Sequence, residues 1–322
     1  MRAPPRRCAV RRLVAFPPAR GERLAWEALP AAVRSAIEQR LEATVARAVT
    51  QPGGFSPGVA ARLELADGRS FFAKAVGPEP NPDSPEFHRR EAHIAAALPP
   101  ETPAPRFLFS VDDGAWVALV FEDVEGREPQ LPWRHDELAR VLEALTDLAE
   151  ALTPTPIAAP PVEETLDDIF HGWRTLESHV DDWAADHLDE LCELESRWAD
   201  AAEGDTLLHC DVRADNILLT PDRVVFVDWP HACIGAAWID LLGFLPSVAM
   251  QGGPHPWTIF ESHPIGRDVP PEHVQPVLAA LAGFFLQRST LPPPPGLSTL
   301  REFQRGQGIE ALAWLRRSLG ES

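Results

Sequence analysis

The sequence predicts an α+β chain of two lobes, a small lobe built on an antiparallel sheet and a larger, mainly helical lobe. Two hairpin patterns occur in the first part of the chain, around Ala66-Asp67-Gly68 and around Asp112-Asp113-Gly114, and Asp-Gly is a strong turn signal. From Glu137 onward, helical periodicity dominates instead. The chain has 322 residues, 45% of them hydrophobic, which is enough to bury a large core.

The predicted small lobe spans residues 22–126 and follows a basic tail, residues 1–21. Apolar residues at helical spacing predict helices, and short apolar runs beside turn residues predict strands. The predicted elements are a helix over 26–50, strands over 59–65 and 69–76, a helix over 86–98, and strands over 107–111 and 116–121. Residues 122–126 should connect the two lobes.

The predicted large lobe spans residues 127–322. Helices dominate it, and a proline-rich loop interrupts them near 153–161. The remaining predicted elements are one or two amphipathic helices over 163–205, short strands at 217–219 and 224–227, and a last helix over 300–319.

Lys74 is the single lysine among the 29 Lys and Arg residues of the chain. Its neighbours Phe72, Ala73, Ala75 and Val76 predict a buried strand. A lysine ammonium is a compact point charge, whereas an arginine guanidinium is a wide planar fork. Lys74 is therefore a candidate functional residue. The alternative is a coding bias that replaced lysine with arginine elsewhere and left one lysine by chance.

A segment in the large lobe carries the most specific motif. It reads His-Cys-Asp-Val-Arg-Ala-Asp-Asn at 209–216, and a predicted hairpin leads from it to Asp228. The hairpin should hold Asp211, Asn216 and Asp228 close together. Phosphoryl transfer needs such a set, because a carboxylate must orient the attacking hydroxyl while an amide oxygen and a second carboxylate hold Mg²⁺.

In these residues the chain resembles the aminoglycoside phosphotransferase family, small-molecule kinases with the protein-kinase-like fold. The similarity runs from about residue 46 to residue 245. The resemblance implies ATP as phosphoryl donor, Asp211 as catalytic base, and Asn216 and Asp228 as Mg²⁺ ligands. The chain departs from the family pattern at Cys210, where the family has glycine. The resemblance therefore does not predict the backbone conformation at this position.

The same resemblance implies the nucleotide-binding residues of the small lobe. Lys74 would reach the ATP phosphates, and Glu91, on the following helix, would hold its ammonium. Gly54 and Ser56, in a glycine-rich loop, would offer backbone N–H groups to phosphates. Asp123 and Val124 would bind adenine through backbone groups. The alternatives are a solvent-facing Glu91 and an ordinary hairpin turn at 53–58.

Three further residues of this region receive other interpretations. Asp240 is predicted to tie the start of its helix to the catalytic loop, with a simple helix N-terminal carboxylate as the alternative. His209 is predicted to be a buried hydrogen-bonding anchor. Cys210 is not expected to be a nucleophile, because adjacent residues on an extended loop point in opposite directions. A zinc-binding helix of the His-Glu-x-x-His type is not expected either. That motif places its two histidines four residues apart, whereas His88 and His93 are five residues apart.

Charge, apolar runs and cysteine spacing argue against several classes of partner and location. The net charge of −19 argues against nucleic acid. No run of about 18 apolar residues exists, so no membrane span is expected. An apolar stretch at 13–16 is too short for a secretory signal, and the four cysteines show no paired spacing. We therefore expect a cytoplasmic protein whose partner is a small-molecule hydroxyl substrate.

Two other protein classes compete with a small-molecule kinase. Only 11 residues separate Asp228 from Asp240, which leaves little room for the activation loop of a protein kinase. A catalytically inactive, ATP-binding scaffold remains an alternative, although the four residues Lys74, Asp211, Asn216 and Asp228 are all present.

The acceptor is not determined by the sequence. Residues 163–205 contain 15 acidic residues and, as basic residues, only Arg174 and Arg197. Carboxylates beside the site would attract a polycationic substrate such as an aminoglycoside. The alternative is a solvated acidic face that keeps the protein soluble.

Overall fold

The structure is a computed structural model that describes residues 23–51, 53–55 and 58–321. The predicted basic tail, residues 1–21, and the loop residue Ser56 lie outside these ranges. A mainly antiparallel sheet followed by a mainly helical region confirms the predicted α+β architecture. Within the described ranges, no helix combines the length and the apolar character needed to cross a membrane.

One sheet forms the framework of the small lobe. Its strands are β1 (Arg23–Leu24), β2 (Val45–Thr50), β3 (Gly58–Leu65), β4 (Ser70–Val76), β5 (Phe107–Asp112) and β6 (Val117–Glu122). The order is β1-β3-β4-β6-β5, with β2 also pairing with β3. The pairs are antiparallel except β1 with β3. Lys74 lies on the inner strand β4, directly opposite Leu119 of β6.

Two helices cover the two faces of this sheet. Helix α1 (Ala31–Leu41) packs Val33, Ile37 and Leu41 against one face, where Ala118 and Val120 are buried. Helix α2 (Ser84–Ala97) covers the opposite face, on which Leu119 lies. Because directly opposed residues share a face, Lys74 points toward α2. This places the lysine beneath the helix that carries Glu91.

The prediction of one helix over residues 26–50 is wrong, because the structure has a 3-10 turn at Trp26–Ala28, helix α1 and then strand β2. Helix α1 ends at Leu41, and Glu42 then adopts a left-handed conformation with φ 57°. Val45 begins strand β2, and its N–H donates to Glu38 Oε1 at 2.8 Å. Helical spacing continues to Val45 in the sequence, but its β-branched side chain and the pairing of β2 with β3 favour a strand.

Helices dominate the large lobe, as predicted. They are α3 (His135–Ala151), α4 (Val162–Leu166), α5 (Gly172–Thr175), α6 (Asp182–Asp186), α7 (Leu188–Glu195), α8 (Trp198–Ala201), α9 (Ile239–Met250), α10 (Pro256–Phe260), α11 (Pro271–Ser289) and α12 (Leu300–Ser318). Two short strand pairs lie among them: β7 (Thr206–Leu208) with β10 (Cys233–Gly235), and β8 (Ile217–Leu219) with β9 (Val224–Phe226).

The segment 163–205 is not one or two amphipathic helices, as predicted, but the series of short helices α4 to α8. Helix α5 approaches α11 closely at its first residue. A Cβ at Gly172 would collide with the backbone of Gly283 on α11, so only glycine permits this contact. The apolar spacing of the segment is real, since each short helix contributes buried residues to the core.

Candidate active site

The candidate catalytic loop, residues 209–216, lies between short strands whose side chains are mostly buried. β7 leads into it, and β8 and β9 follow as the predicted hairpin. Asn216, just before β8, donates its amide Nδ2 to Asp211 Oδ2 at 3.0 Å and to the Asp211 carbonyl at 2.8 Å. The Asn216 carbonyl accepts from the Val227 N–H at 2.9 Å, which ties it to the residue before Asp228. The fold therefore brings Asp211, Asn216 and Asp228 together.

Asp240 fixes the backbone of this loop, as predicted. Its two carboxylate oxygens accept from the His209 and Cys210 N–H groups, each at 2.8 Å. Burial raises the pKa of Asp240 to about 6, although the two N–H donors oppose that shift. The plain helix N-terminal interpretation is wrong, since this carboxylate bonds to the loop.

His209 is the buried anchor that the sequence predicts. Its side chain is fully buried, and Nε2 lies 3.0 Å from the Val227 carbonyl oxygen, so this nitrogen carries the proton. Nδ1 then accepts from the Asp211 N–H at 3.2 Å. Burial lowers the pKa of His209 to about 4, so the ring is neutral near pH 7.

We expect Asp240→Asn to lower the free energy of unfolding by roughly 1–3 kcal/mol, because one of the two buried backbone N–H groups loses its acceptor. Chemical denaturation measures this change. The matched control is Asp205→Asn. Asp205 is exposed and directly precedes strand β7, so this substitution should leave the free energy of unfolding unchanged. Equal stability of the Asp240 variant and the parent protein would show that the carboxylate does not hold the loop.

Cys210 occupies the position at which the family has glycine, and its backbone explains that preference. Its φ is 59°, in the left-handed region that glycine adopts without strain. Cys210 Sγ lies 3.0 Å from Sγ of Cys233, because β10 pairs with β7. The Cys233 thiol and burial together raise the pKa of Cys210, which opposes a thiolate nucleophile. Sequence spacing did not reveal this thiol pair.

Lys74 lies between two carboxylates. Its Nζ forms a salt bridge with Glu91 Oε2 and another with Asp228 Oδ1 at 2.7 Å. Burial alone would lower the pKa of Lys74, but Asp228 and Glu91 outweigh burial and raise it. Lys74 in turn holds the pKa of Asp228 below its usual range against the opposing effect of burial. Glu91 is 2% exposed, so the solvent-facing alternative is wrong.

Arg213, which the sequence patterns did not indicate, is a direct neighbour of the Asp211 carboxylate. It forms ion pairs with Asp211 and, at 2.9 Å, with Asp215. Its guanidinium also lies over the ring of Phe55 at 5.5 Å and that of Phe303 at 6.0 Å. Burial raises the pKa of Asp211, and the cationic Arg213 opposes that rise.

A cavity of about 540 Å³ lies between the sheet of the small lobe and the hairpin formed by β8 and β9. Lys74, Glu91, Asn216 and Asp228 line it. The connecting residues Asp123 and Val124 also line it, as do Gly53 and the unpredicted Arg23. Gly54 is not among the described lining residues; with φ 83°, it follows Gly53 in the turn.

Arg62 engages the connection between the lobes. It pairs with Asp123 at 3.1 Å and donates to the Val124 carbonyl at 2.6 Å. The Val124 carbonyl also accepts from the Gly126 N–H at 2.8 Å. Because both lone pairs of this carbonyl are engaged, the Val124 N–H is the better group to meet an adenine ring.

A second cavity, of about 260 Å³, lies on the other side of the catalytic loop. Asp211 and Arg213 line it, together with side chains of α9, α11 and α12. Phe55 reaches it from the glycine-rich loop and meets Phe303 of α12 edge to face, with ring centroids 5.3 Å apart. Among the described residues, none of the acidic side chains of 163–205 lines it.

A family model and several solved structures are similar to this chain. The sequence profile of the phosphotransferase enzyme family, APH, matches residues 48–263, more than half of the chain. A comparison of the sequence with curated proteins gives no match.

Solved structures with the same fold include kinases for several acceptors. A thermostable mutant of aminoglycoside phosphotransferase APH(4)-Ia, in a ternary complex with ADP and hygromycin B, is similar at 14% identity and TM-score 0.57, over 90% of this chain and 100% of that chain. Choline kinase LicA from Streptococcus pneumoniae is 14% identical with TM-score 0.58, over 90% and 98%. A choline/ethanolamine kinase family protein from Mesorhizobium loti is 18% identical with TM-score 0.56, over 88% and 98%.

These likenesses confirm the predicted protein-kinase-like fold, with a small sheet-containing lobe and a larger helical lobe. The matched profile includes strand β4 with Lys74 as well as the whole catalytic hairpin. The chain therefore belongs to the phosphotransferase enzyme family.

Proposed function

We propose that this protein transfers the γ-phosphate of ATP to a hydroxyl group of a small molecule, with Mg²⁺ as the metal ion. Asp211 is the catalytic base, Asn216 and Asp228 hold Mg²⁺, and Lys74 contacts the phosphates. The proposal extends the family assignment to a donor, a metal and individual residues.

One observation supports the proposal most. Two cavities lie on either side of a single hydrogen-bonded pair, with Asn216 lining the larger and Asp211 lining the smaller. Donor and acceptor would thus approach the catalytic carboxylate from opposite sides. An in-line transfer requires this placement, because attacking and leaving oxygens lie on opposite sides of the phosphorus.

The residues of the larger cavity fit a metal-bound nucleotide. Asn216 directs its amide nitrogen toward Asp211, so its Oδ1 faces away from that residue and can serve as a ligand. Asp228 supplies a carboxylate that Lys74 keeps ionised. Oxygen ligands of this kind suit Mg²⁺, which when bound would neutralise charge on the phosphates.

Asp211 performs the proton chemistry in the proposed mechanism. Its carboxylate accepts a hydrogen bond from the acceptor hydroxyl and takes the proton as the new oxygen–phosphorus bond forms and the bond to ADP breaks. Arg213 and Asn216 hold the carboxylate in place from two directions. Lys74, oriented by Glu91, holds the phosphates of the donor.

The proposal is tested by measuring ADP release across a panel of hydroxylated compounds, with Mg²⁺ and with a chelator. We expect ADP to appear only when both Mg²⁺ and a suitable acceptor are present. ATP binding without acceptor-dependent ADP release from any member of the panel would favour the inactive scaffold instead.

Lys74→Arg tests the role of the lone lysine. The wider guanidinium does not fit between Glu91 and Asp228 as an ammonium does, so the phosphates should be misplaced. We expect transfer slower by about 10²-fold, the scale of a 1 Å misplacement. Charge is conserved, so ATP affinity should change less in this variant than in Lys74→Met.

Two further variants serve as comparisons for Lys74→Arg, one with a milder expected defect and one with no expected defect. Glu91→Gln should give a milder defect, because Glu91 only positions the ammonium. The exchange in the opposite direction at an exposed site, Arg106→Lys, should be silent, since the Arg106 side chain is 72% exposed. Full turnover of Lys74→Arg at saturating ATP and acceptor would show that the lysine survived by coding bias.

A further inference from the structure

The carboxylates that line the smaller cavity already have ion-pair or hydrogen-bond partners. Among the described residues that line it, the ionisable carboxylates are Asp211 and Asp240. Asp211 pairs with Arg213, and Asp240 accepts two backbone N–H groups of the catalytic loop. An ammonium group buried here would find no further carboxylate among these residues to replace its water shell.

The acidic segment does not supply that carboxylate. Most of its carboxylates lie on exposed turns of the short helices, and its buried member, Glu195, accepts from the Trp173 N–H at 3.0 Å. Glu195 also lies 4.0 Å from Arg174. These contacts favour the solvated-face interpretation of residues 163–205 over the attraction of a polycation.

Aromatic and aliphatic side chains form most of the cavity wall. Phe170 meets Trp198 edge to face, with ring centroids 4.9 Å apart, and lies 6.0 Å from Phe284. Phe303 and Phe55 form a second aromatic pair on the side of the glycine-rich loop. Such walls favour ligands with an apolar, ring-containing body, because each square ångström of apolar surface removed from water stabilises the complex.

Two amides add hydrogen-bonding capacity to one wall. Gln304 and Gln307 lie three residues apart on α12 and therefore on one face of it. Both are buried, with 9% and 3% exposure, and both line the cavity. Gln304 Oε1 accepts from Arg301 at 2.8 Å, which leaves its amide N–H groups as donors. A few polar groups in an apolar pocket are the usual basis of ligand orientation.

We propose that the acceptor is a neutral alcohol with an apolar, ring-containing body, rather than a polycation. Its hydroxyl meets Asp211, its body fills the aromatic cavity, and a second oxygen lies near Gln304 and Gln307. The inference rests on the proposed function, because it identifies the cavity beside Asp211 as the acceptor site.

Matched acceptors test the inference. Neutral ring-containing primary alcohols are compared with the same skeletons carrying an ammonium group, and with an aminoglycoside, by ADP release from the full chain. We expect kcat/KM to be on the order of 100-fold higher for the neutral member of each pair, because an unpaired ammonium is costly to bury. Calorimetry with a non-hydrolysable ATP analogue should show binding of the neutral alcohols, with a negative heat-capacity change.

A single substitution should shift this preference. Gln307→Glu has almost the same shape as the parent side chain but places a carboxylate in the cavity wall. We expect the ratio of kcat/KM between neutral and ammonium-bearing acceptors to fall by about tenfold, the scale of one added ion pair. Gln39→Glu, the same change on an exposed face of α1, is the control and should leave the ratio unaltered.

The possible outcomes separate this inference from the proposed function. Preference for ammonium-bearing acceptors or the aminoglycoside would overturn the inference while supporting phosphoryl transfer. Failure of every neutral alcohol both to bind and to be phosphorylated would also overturn it. The proposed function itself fails when no acceptor of any class, neutral or ammonium-bearing, gives Mg²⁺- and acceptor-dependent ADP release, whether or not the chain binds ATP.

Discussion

Asp211→Asn should remove nearly all phosphoryl transfer while leaving the fold and Mg²⁺·ATP binding in place. An amide cannot take the proton from the acceptor hydroxyl, and loss of a general base slows transfer by roughly 10²–10⁴-fold. ATP binding should persist, because Asp211 lines the acceptor cavity and not the larger one. Steady-state ADP release and calorimetry with Mg²⁺·ATP measure the two properties separately.

The same variant also changes two contacts. Asp211 accepts from Asn216 Nδ2 at 3.0 Å and from Arg213, and an asparagine can serve only one of these donors. Some loss of stability is therefore expected, and thermal denaturation must accompany the kinetics. Asp205→Asn makes the same chemical change on an exposed residue nearby and should be inert. Retention of more than about a tenth of the activity, against the roughly 10²–10⁴-fold loss expected for a missing base, would rule out Asp211 in that role.

Asp228→Ala should weaken Mg²⁺-dependent ATP binding most among the variants of the larger cavity. The carboxylate contributes charge as well as a ligand oxygen, and its removal leaves Lys74 paired with Glu91 alone. We expect affinity to fall on the order of 100-fold or more, because several kcal/mol of charge stabilisation are lost. Calorimetry with and without Mg²⁺ measures the effect.

Asn216→Ala is the matched comparison for that experiment. It removes an uncharged ligand oxygen and the hydrogen bonds to Asp211, so ATP affinity should fall less and transfer should also slow. The expected order of ATP affinity in Mg²⁺ is parent, then Asn216→Ala, then Asp228→Ala. Unchanged ATP affinity in Asp228→Ala would contradict the assignment of the nucleotide cavity.

Local patterns predicted the parts of the site that depend on short spans of chain. The strand around Lys74 and the hairpin between Asn216 and Asp228 are each recognisable from apolar runs and turn residues. Glu91 was found because helix α2 directly follows β4. Asp240 was interpreted correctly because residues 235–241 resemble a stretch of the family pattern in which an aspartate begins a helix.

Contacts between distant segments could not be predicted in the same way. Phe55 meets Phe303 and Cys210 meets Cys233 only because of how the lobes and strands are placed. The close contact of Gly172 with the backbone of Gly283 is likewise encoded by no periodicity in the short helices. Tertiary contacts also ended α1 at Leu41, where the helical spacing of apolar residues continued.

The chemical identity of the product is the strongest test of phosphoryl transfer from ATP to an acceptor hydroxyl. Full-length protein, Mg²⁺, ATP and an acceptor found by ADP release are incubated together, and the products are followed by phosphorus NMR. We expect a phosphate monoester on the acceptor oxygen to accumulate in step with ADP, and Asp211→Asn to form neither at a comparable rate. ADP formed only together with inorganic phosphate, with the acceptor unchanged, would contradict it.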